Sequence, residues 1–168
     1  NLTITFNTKD GPLIAVRDLS FQIKMGETLG VVGESGCGKS ITNLAIMGLL
    51  PPQAIVSATR LSLHLSPEDK NLLTLSERDW QQIRGQDIAM IFQDPMSALN
   101  TCYTVGAQLV ETLRVHRDMS RRDALLESLN LMEQVGIPAP SERLKAYPHE
   151  LSGGMAQRVM IAMAISSN

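Results

Sequence analysis

The feature that most constrains this chain is the segment from Gly33 to Ser40, Gly-Glu-Ser-Gly-Cys-Gly-Lys-Ser. It fits the pattern G-x-x-x-x-G-K-[ST], in which glycines permit a tight turn and successive backbone N–H groups point into one concavity. Residues 28–32 before it predict a short buried strand, and residues 41–50 after it predict a helix that stops at Pro51. A glycine-rich turn beside a chance Lys-Ser pair is the alternative, but the context of strand, loop and helix favours a phosphate-binding loop.

Each part of this loop has a chemical reason to bind a nucleotide. The positive end of the helix dipole lies under the concavity and favours an anion there. We expect Lys39 to reach the β- and γ-phosphates and the Ser40 hydroxyl to ligate Mg²⁺. The residues predicted to bind the nucleotide are Gly33, Glu34, Ser35, Gly36, Cys37, Gly38, Lys39, Ser40 and Ile41.

The composition limits the class of protein. A chain of 168 residues with 43% hydrophobic residues can form one domain with a core, and a net charge of −2 leaves no electrostatic footprint for nucleic acid. The longest apolar run, residues 159–165, is much shorter than the roughly 20 residues that span a bilayer. No targeting signal is expected at the N-terminus, and two cysteines indicate a reducing compartment and no disulfide framework. We expect a soluble, cytosolic protein that does not bind nucleic acid.

Short alternating segments around the loop predict strands. These segments are residues 2–6, 14–16, 19–23 and 60–65. Because the first three leave no room for helices between them, they predict an antiparallel sheet beside the nucleotide-binding core. Residues 76–84 predict a short helix that Ser76 and Asp79 cap and that Trp80 anchors by packing. His64 and His116 have no partners at metal-ligand spacing, so both are interpreted as structural or solvent-facing.

A second apolar run, residues 88–92, predicts a buried strand that ends in Gln93-Asp94-Pro95. The end of a strand beside a phosphate loop is a natural place for metal and water ligands. Asp94 resembles the acid that ends the Walker B strand of nucleotide-binding proteins. Gln93 intervenes between strand and acid, however, and Pro95 turns the chain at once, so we do not assign that role to Asp94.

From Thr104 onward the pattern becomes helical. Two amphipathic helices are predicted, the second capped by Ser120 and ended by Gly136. A final helix opens at Leu151-Ser152-Gly153-Gly154 and runs to Ile165, with Ser152 as its N-cap. A helix N-terminus with two glycines is a second potential phosphate site, and a simple cap is the alternative.

Together these segments resemble the nucleotide-binding subunit of an ABC transporter, over nearly the whole chain. The phosphate loop, the Gln93 loop and the segment Leu-Ser-Gly-Gly occur in the family's order, with a helical lobe between the last two. The resemblance implies ATP and Mg²⁺ as cofactors and a head-to-tail dimer that sandwiches two ATP molecules. It implies that Lys39 and Gln93 act in catalysis, that Ser40 and Gln93 contact the metal, and that Gln93 couples the site to the membrane subunit. The signature motif that would contact the γ-phosphate on the opposite subunit consists of Leu151, Ser152, Gly153, Gly154 and Met155.

Three segments are similar to the oligopeptide, dipeptide and nickel importer branch of that family: residues 33–36, 92–100 and 147–155. The resemblance implies a subunit on the inner face of the cell membrane that powers uptake of peptide-like or metal-chelate substrates through permease subunits. Its partner would be a second ATP-binding subunit, in a homodimer or a heterodimer. A soluble ABC-type ATPase without a permease and a non-catalytic nucleotide-binding module are the two alternatives.

The expected fold class is α/β, a partial P-loop ABC ATPase core with a small antiparallel β subdomain and an α-helical subdomain. We place the β subdomain and core in residues 1–100, the helical subdomain in 101–150, and the signature motif with its helix in 151–168. No Asp-Glu pair occurs in the sequence, so the Walker B acid, the catalytic Glu and the switch His of the family are expected to be missing, and the chain alone to be inactive. Ala156 stands where a basic residue is usual, and Phe6 is the one candidate to stack on adenine, although a strand role suits it better.

Overall fold

The computed structural model describes residues 1–65 and 69–167, and the chain divides into two compact units, Asn1–Gln81 and Gln82–Asn168. The first unit is built mainly from strands. Its elements are β1 (Leu2–Thr8), β2 (Gly11–Leu19), α1 (Lys39–Ile46), β3 (Ala54–Ser57), β4 (Ser62–His64), β5 (Asp69–Asn71) and most of α2 (Glu77–Ile83).

The predicted antiparallel sheet is present, with strand order β2-β1-β3. Ile4 lies at its centre, opposite Val16 on one neighbour and Val56 on the other, and is fully buried. Its core also includes Ala45, through which α1 packs on the sheet. This core is small, so it holds the sheet and one helix and little else.

The strands of this unit differ from the prediction at their ends. β2 is one continuous strand and stops at Leu19, so the strand expected over 19–23 is not formed. The reason is the pairing, because Leu19 lies opposite Leu2, where β1 begins. The strand expected over 60–65 shortens to β4, which pairs with β5. His64 is exposed there and contacts the Asp69 carboxylate through Nδ1 at 2.8 Å, which confirms a solvent-facing position.

The helix after the glycine loop is shorter than expected. It ends at Ile46 because Gly48, at φ +62°, reverses the chain: the Gly48 N–H donates to Ala45 O at 3.1 Å and the Leu49 N–H to Leu44 O at 2.8 Å. A side chain at Gly48 would overlap the ring of Trp80. Trp80 is therefore the packing anchor that the sequence predicts.

Two predicted buried strands are absent from the described residues, and those predictions are wrong for this structure. Residues 28–32 form no strand, and Val32 is 93% exposed. In residues 88–92, Ile88 makes a single bridge to Arg84, while Ile91 is 47% exposed. A buried strand needs hydrogen-bonded neighbours for its backbone groups. Apart from the bridge between Ile88 and Arg84, the described residues show no strand partner for either segment, so apolar side chains such as those of Val32 and Ile91 stay at the surface.

The second unit is a helical bundle. Its helices are α3 (Pro95–Ala98), α4 (Val105–Arg117), α5 (Arg121–Gln134), α6 (Pro140–Arg143), a 3₁₀ turn (Pro148–Glu150) and α7 (Gly153–Ile165). The two predicted amphipathic helices and the final helix are confirmed, and Ser120 caps α5 by accepting a hydrogen bond from the Asp123 N–H. Leu109, Leu113, Met132 and Val159 are fully buried at the centre of a continuous apolar core. No helix in the described part of the chain combines the length and apolarity needed to cross a membrane.

Candidate functional site

The glycine loop ends at the N-terminus of α1, where Gly38 is the N-cap residue at φ +93°. A Cβ at Gly38 would lie 2.8 Å from the Ala15 carbonyl oxygen and 2.9 Å from Val16 Cγ2, so no other residue fits without a shift. Gly36 also has a positive φ, +83°, which L-residues rarely adopt. The loop is thus pressed onto β2, and its shape requires these two glycines.

The N-terminus of α1 is open toward a ligand. The N-cap residue Gly38 has no side chain to accept a hydrogen bond from the first turn. The first-turn N–H groups of an α-helix have no partners inside the helix. The Ser40 side chain is exposed on that turn, while Ile41 is partly buried against the sheet core. Free amides and a positive dipole end make this turn suited to an anion.

Lys39 currently closes the loop on itself. Its Nζ donates to the carbonyl oxygens of Gly33 and Glu34 at 2.7 Å each and contacts Cys37 Sγ at 3.3 Å. The Lys39 ammonium is therefore held within the loop, and Lys39 is also the first residue of α1, whose first-turn amides follow. A phosphate on those amides would compete with neutral carbonyls for the Lys39 charge, and a charge-assisted bond is the stronger one.

Gln93 lies in the second unit, exposed, directly before α3. Its neighbour Asp94 is the N-cap of that helix, and the Asp94 Oδ1 accepts a hydrogen bond from the Met96 N–H at 3.0 Å. The carboxylate of Asp94 therefore stabilises the start of α3.

The segment 151–155 forms the start of α7. Leu151 is buried, and the Ser152 hydroxyl accepts a hydrogen bond from the Met155 N–H at 3.3 Å, which confirms Ser152 as the N-cap. Gly153 and Gly154 are exposed, and among the described residues no atom lies within 4 Å of a Cβ built on either. The described structure thus leaves space beside these two glycines.

Position 156 lies inside the bundle and not on its surface. Ala156 is fully buried in the bundle core, so a long basic side chain there would have to be accommodated in the core. Phe6 packs against the core of the sheet in the first unit, as a strand residue does.

Two contacts that support the segment 151–155 were not predicted. Arg158 on α7 donates from Nη1 to the carbonyl oxygens of Val135 at 2.7 Å and Gly136 at 3.2 Å, and so caps the end of α5. The Glu150 carboxylate accepts a hydrogen bond from the Tyr147 N–H at 2.7 Å, beside the stacked rings of Tyr147 and His149. The charge of Arg158 on a mostly apolar helix, and Gly136 at the end of α5, were signals for the first contact.

The predicted site residues fall into both units. The glycine loop belongs to the first, whereas Gln93 and the segment 151–155 belong to the second. A cavity of about 530 Å³ lies between α4, α5 and α6, but none of the predicted site residues lines it. No cluster of three His, Cys, Asp or Glu residues that could hold a metal occurs in the described ranges, and both cysteines are free.

A family model described as ABC transporter matches residues 16–168. The chain belongs to the ABC transporter family. The dipeptide transport ATP-binding protein DppD of Bacillus subtilis is 52% identical over 98% of this chain and 48% of its own length. The oligopeptide transport ATP-binding protein OppD of Escherichia coli is 47% identical over 98% of this chain and 48% of its own length. The chain thus spans about half the length of these ABC relatives.

Solved ABC structures show the same fold. The dimeric structure of MJ0796, a bacterial ABC transporter cassette, superposes with a TM-score of 0.76 at 23% identity, over 100% of this chain and 70% of that one. The structure of cbiO1 from Clostridium perfringens gives a TM-score of 0.60 at 24% identity, over 99% and 61%. The predicted fold class, a partial ABC ATPase with a small antiparallel β part and a helical part, is confirmed.

Proposed function

We propose that residues 33–41 bind ATP with Mg²⁺, and that the chain is part of an ATP-binding subunit that powers peptide import through membrane permease subunits. The observation that carries the proposal is the open N-terminus of α1, capped by Gly38 at positive φ with Lys39 beside it. Bound ATP with Mg²⁺ would supply a phosphoryl group for transfer to water. The donor set fits, because backbone amides, one ammonium and one hydroxyl are the groups that bind a metal-bound triphosphate.

Each loop residue has a proposed role. The amides of residues 33–38 and of the first turn of α1 would hold the phosphate oxygens. Lys39 would exchange its carbonyl partners for phosphate oxygens, and Ser40, exposed on the same turn, would ligate Mg²⁺. Gln93 would contact the metal and the attacking water, as the family resemblance implies.

The open end of α7 supports a dimer. Gly153 and Gly154 leave room for an approaching phosphate, and the dipole of α7 favours one. We propose that the signature motif, residues 151–155, contacts the γ-phosphate of ATP bound to a second ATP-binding subunit. One cassette of the same fold has been solved as a dimer.

The proposed peptide substrate rests on the names of the relatives, and the proposed permease rests on the family resemblance. Both related proteins are transport ATP-binding proteins, for dipeptides and for oligopeptides. They favour a transporter subunit at the inner face of the membrane over a soluble ABC-type ATPase. Hydrolysis by this chain alone is not part of the proposal, because the sequence contains no Asp-Glu pair to order Mg²⁺ and activate water.

The proposal is tested by titrating this chain with Mg²⁺ and ATP in a calorimeter. Lys39→Ala removes the cation beside the open helix end, so we expect affinity to fall at least about tenfold, roughly 1.4 kcal/mol. Lys9→Ala is the matched control, since Lys9 is an exposed cation of the same unit in the turn between β1 and β2. Equal affinities for the parent chain and Lys39→Ala would refute the loop as the nucleotide site.

A further inference from the structure

Gln108 on α4 is a buried amide whose polar atoms all have partners. Its side chain is 7% exposed. Its Oε1 accepts a hydrogen bond from the Asn100 N–H, and its Nε2 donates to the carbonyl oxygens of Asn100 and Tyr103, each at 3.0 Å. One side chain therefore fixes three backbone groups of the turn between α3 and α4.

That turn is the continuation of the segment that carries Gln93. From Gln93 the chain passes through α3, which packs against α7, and then through Leu99, which is buried in the bundle core. Asn100 follows at once. Apolar contacts of α3 and Leu99 thus anchor the segment to the bundle. At the turn, Gln108 is the one α4 side chain with described hydrogen bonds to the segment.

We propose that Gln108 is a positioning residue for Gln93: it locks residues 99–103 to α4 and so ties the Gln93 segment to the bundle that carries the signature motif. The role of Gln93 itself rests on the proposed function. A buried polar group without a partner is costly, so a side chain that cannot hydrogen-bond would release the turn from α4. The segment that carries Gln93, seven residues before Asn100, would then be held less firmly to the bundle.

The anchoring is measured on this chain by hydrogen exchange of the Asn100 amide. Gln108→Met keeps the length of the side chain but offers no comparable donor or acceptor, and it should raise the exchange rate about tenfold or more. Gln134→Met is the control, an exposed Gln at the end of α5 in the same bundle. Gln108→Glu keeps the acceptor and serves as the milder variant if Gln108→Met does not fold. Unchanged exchange in the folded variants would overturn the proposal.

The effect on Gln93 is measured in a chimera in which this chain replaces the matching segment of the Bacillus subtilis dipeptide transport ATP-binding protein. A double-mutant cycle separates positioning from general stability. Gln108→Met should lower kcat about fivefold or more, leave the KM for ATP within about twofold, and have no further effect when Gln93 is already Ala.

The outcomes of this cycle are distinct. An equal loss of kcat in both backgrounds would show that Gln108 only stabilises the bundle and would overturn its link to Gln93. If neither the unmutated chimera nor this chain binds ATP, the proposed function fails. In that case the role assigned to Gln93 fails with it, whereas a change in Asn100 exchange still establishes the anchoring of the turn.

Discussion

The N-termini of α1 and α7 both contain glycine, as the N-cap in α1 and as the first two helical residues in α7, yet their backbone N–H groups are engaged to different degrees. At α1 the cap is Gly38, which contributes only its backbone, so the described structure has no side chain competing for the first-turn amides. At α7 the cap is Ser152, whose hydroxyl already accepts the Met155 N–H. One helix end keeps its donors for a ligand, and the other uses one of them to stabilise itself.

The difference fits the two tasks proposed for these helix ends. The α1 end also has a cation, Lys39, within the loop, whereas α7 has no charged residue before Arg158, and that one is engaged with α5. An end with free amides and a cation can bind a triphosphate by itself. An end with one amide fewer and no cation is suited to a supplementary contact with a phosphate that another site already holds.

The largest expected effect comes from replacing Gly38, the N-cap of α1, with alanine. Gly38→Ala brings a Cβ to 2.8 Å from the Ala15 oxygen at a backbone angle that alanine avoids. We expect ATP affinity to fall more than about tenfold, with a lower unfolding temperature. Gly30→Ala is the control, since Gly30 has open space around it among the described residues and no positive φ. Calorimetry and thermal unfolding measure both effects.

The same substitution at α7 should behave in the opposite way. Gly153 has a helical backbone and free space, and alanine is the better helix former by up to about 1 kcal/mol. Gly153→Ala should therefore leave the unfolding temperature unchanged or raise it slightly. If Gly153→Ala loses as much stability as Gly38→Ala, the two helix ends are equally crowded and the structural difference between them is refuted.

Removing the hydroxyl cap of α7 has a smaller effect than the change at Gly38. Ser152→Ala leaves the Met155 N–H without its side-chain partner, which typically costs about 1 kcal/mol. For a unit of this size that is roughly 4 to 8 °C in the unfolding temperature. Ser97→Ala on the exposed side of α3 is a control that removes a hydroxyl without removing an N-cap. If Ser152→Ala melts like the parent chain, the hydroxyl contributes nothing and α7 is as open as α1.

The sequence predicted the starts of α5 and α7 because their signals are local. Ser120 and Ser152 each accept a hydrogen bond from an N–H three residues further on, and the pattern of residues is enough to identify them. The end of α1 was missed because Gly48 was not recognised as the reversing residue, although it is also local.

The strands predicted over 28–32 and 88–92 failed for a different reason. A strand is defined by its partner, and apolar runs of that length do not say which segment pairs with them. Gln108 was missed for a related reason, since its partners lie on a turn that folds back onto α4. The assignment of nucleotide-binding, metal-binding and signature residues stays a prediction until binding is measured.

A third helix end, that of α2, is capped by two side chains that bond to each other. At α2 the Ser76 hydroxyl accepts a hydrogen bond from the Asp79 N–H, and the Asp79 carboxylate accepts hydrogen bonds from the Ser76 hydroxyl at 2.6 Å and the Ser76 N–H at 3.0 Å. These bonds, the hydroxyl first, lower the pKa of Asp79 from its ordinary value of 3.8. Both side chains are used, so α2 should not bind an anion.

The smallest expected effect follows from this lowered pKa. A carboxyl whose pKa is lower in the folded state stabilises the fold above its unfolded pKa, and the contribution disappears as the pH falls through the folded pKa. Asp79→Asn should therefore lower the unfolding temperature at pH 7, by less than Ser152→Ala because the carboxylate is exposed, and the difference from the parent should shrink at pH values below 3.8. Asp10→Asn, in the exposed turn between β1 and β2, removes one negative charge from the same unit without removing a cap. If the difference in unfolding temperature between Asp79→Asn and the parent stays constant from pH 7 to below pH 3.8, the carboxylate charge plays no part in capping α2.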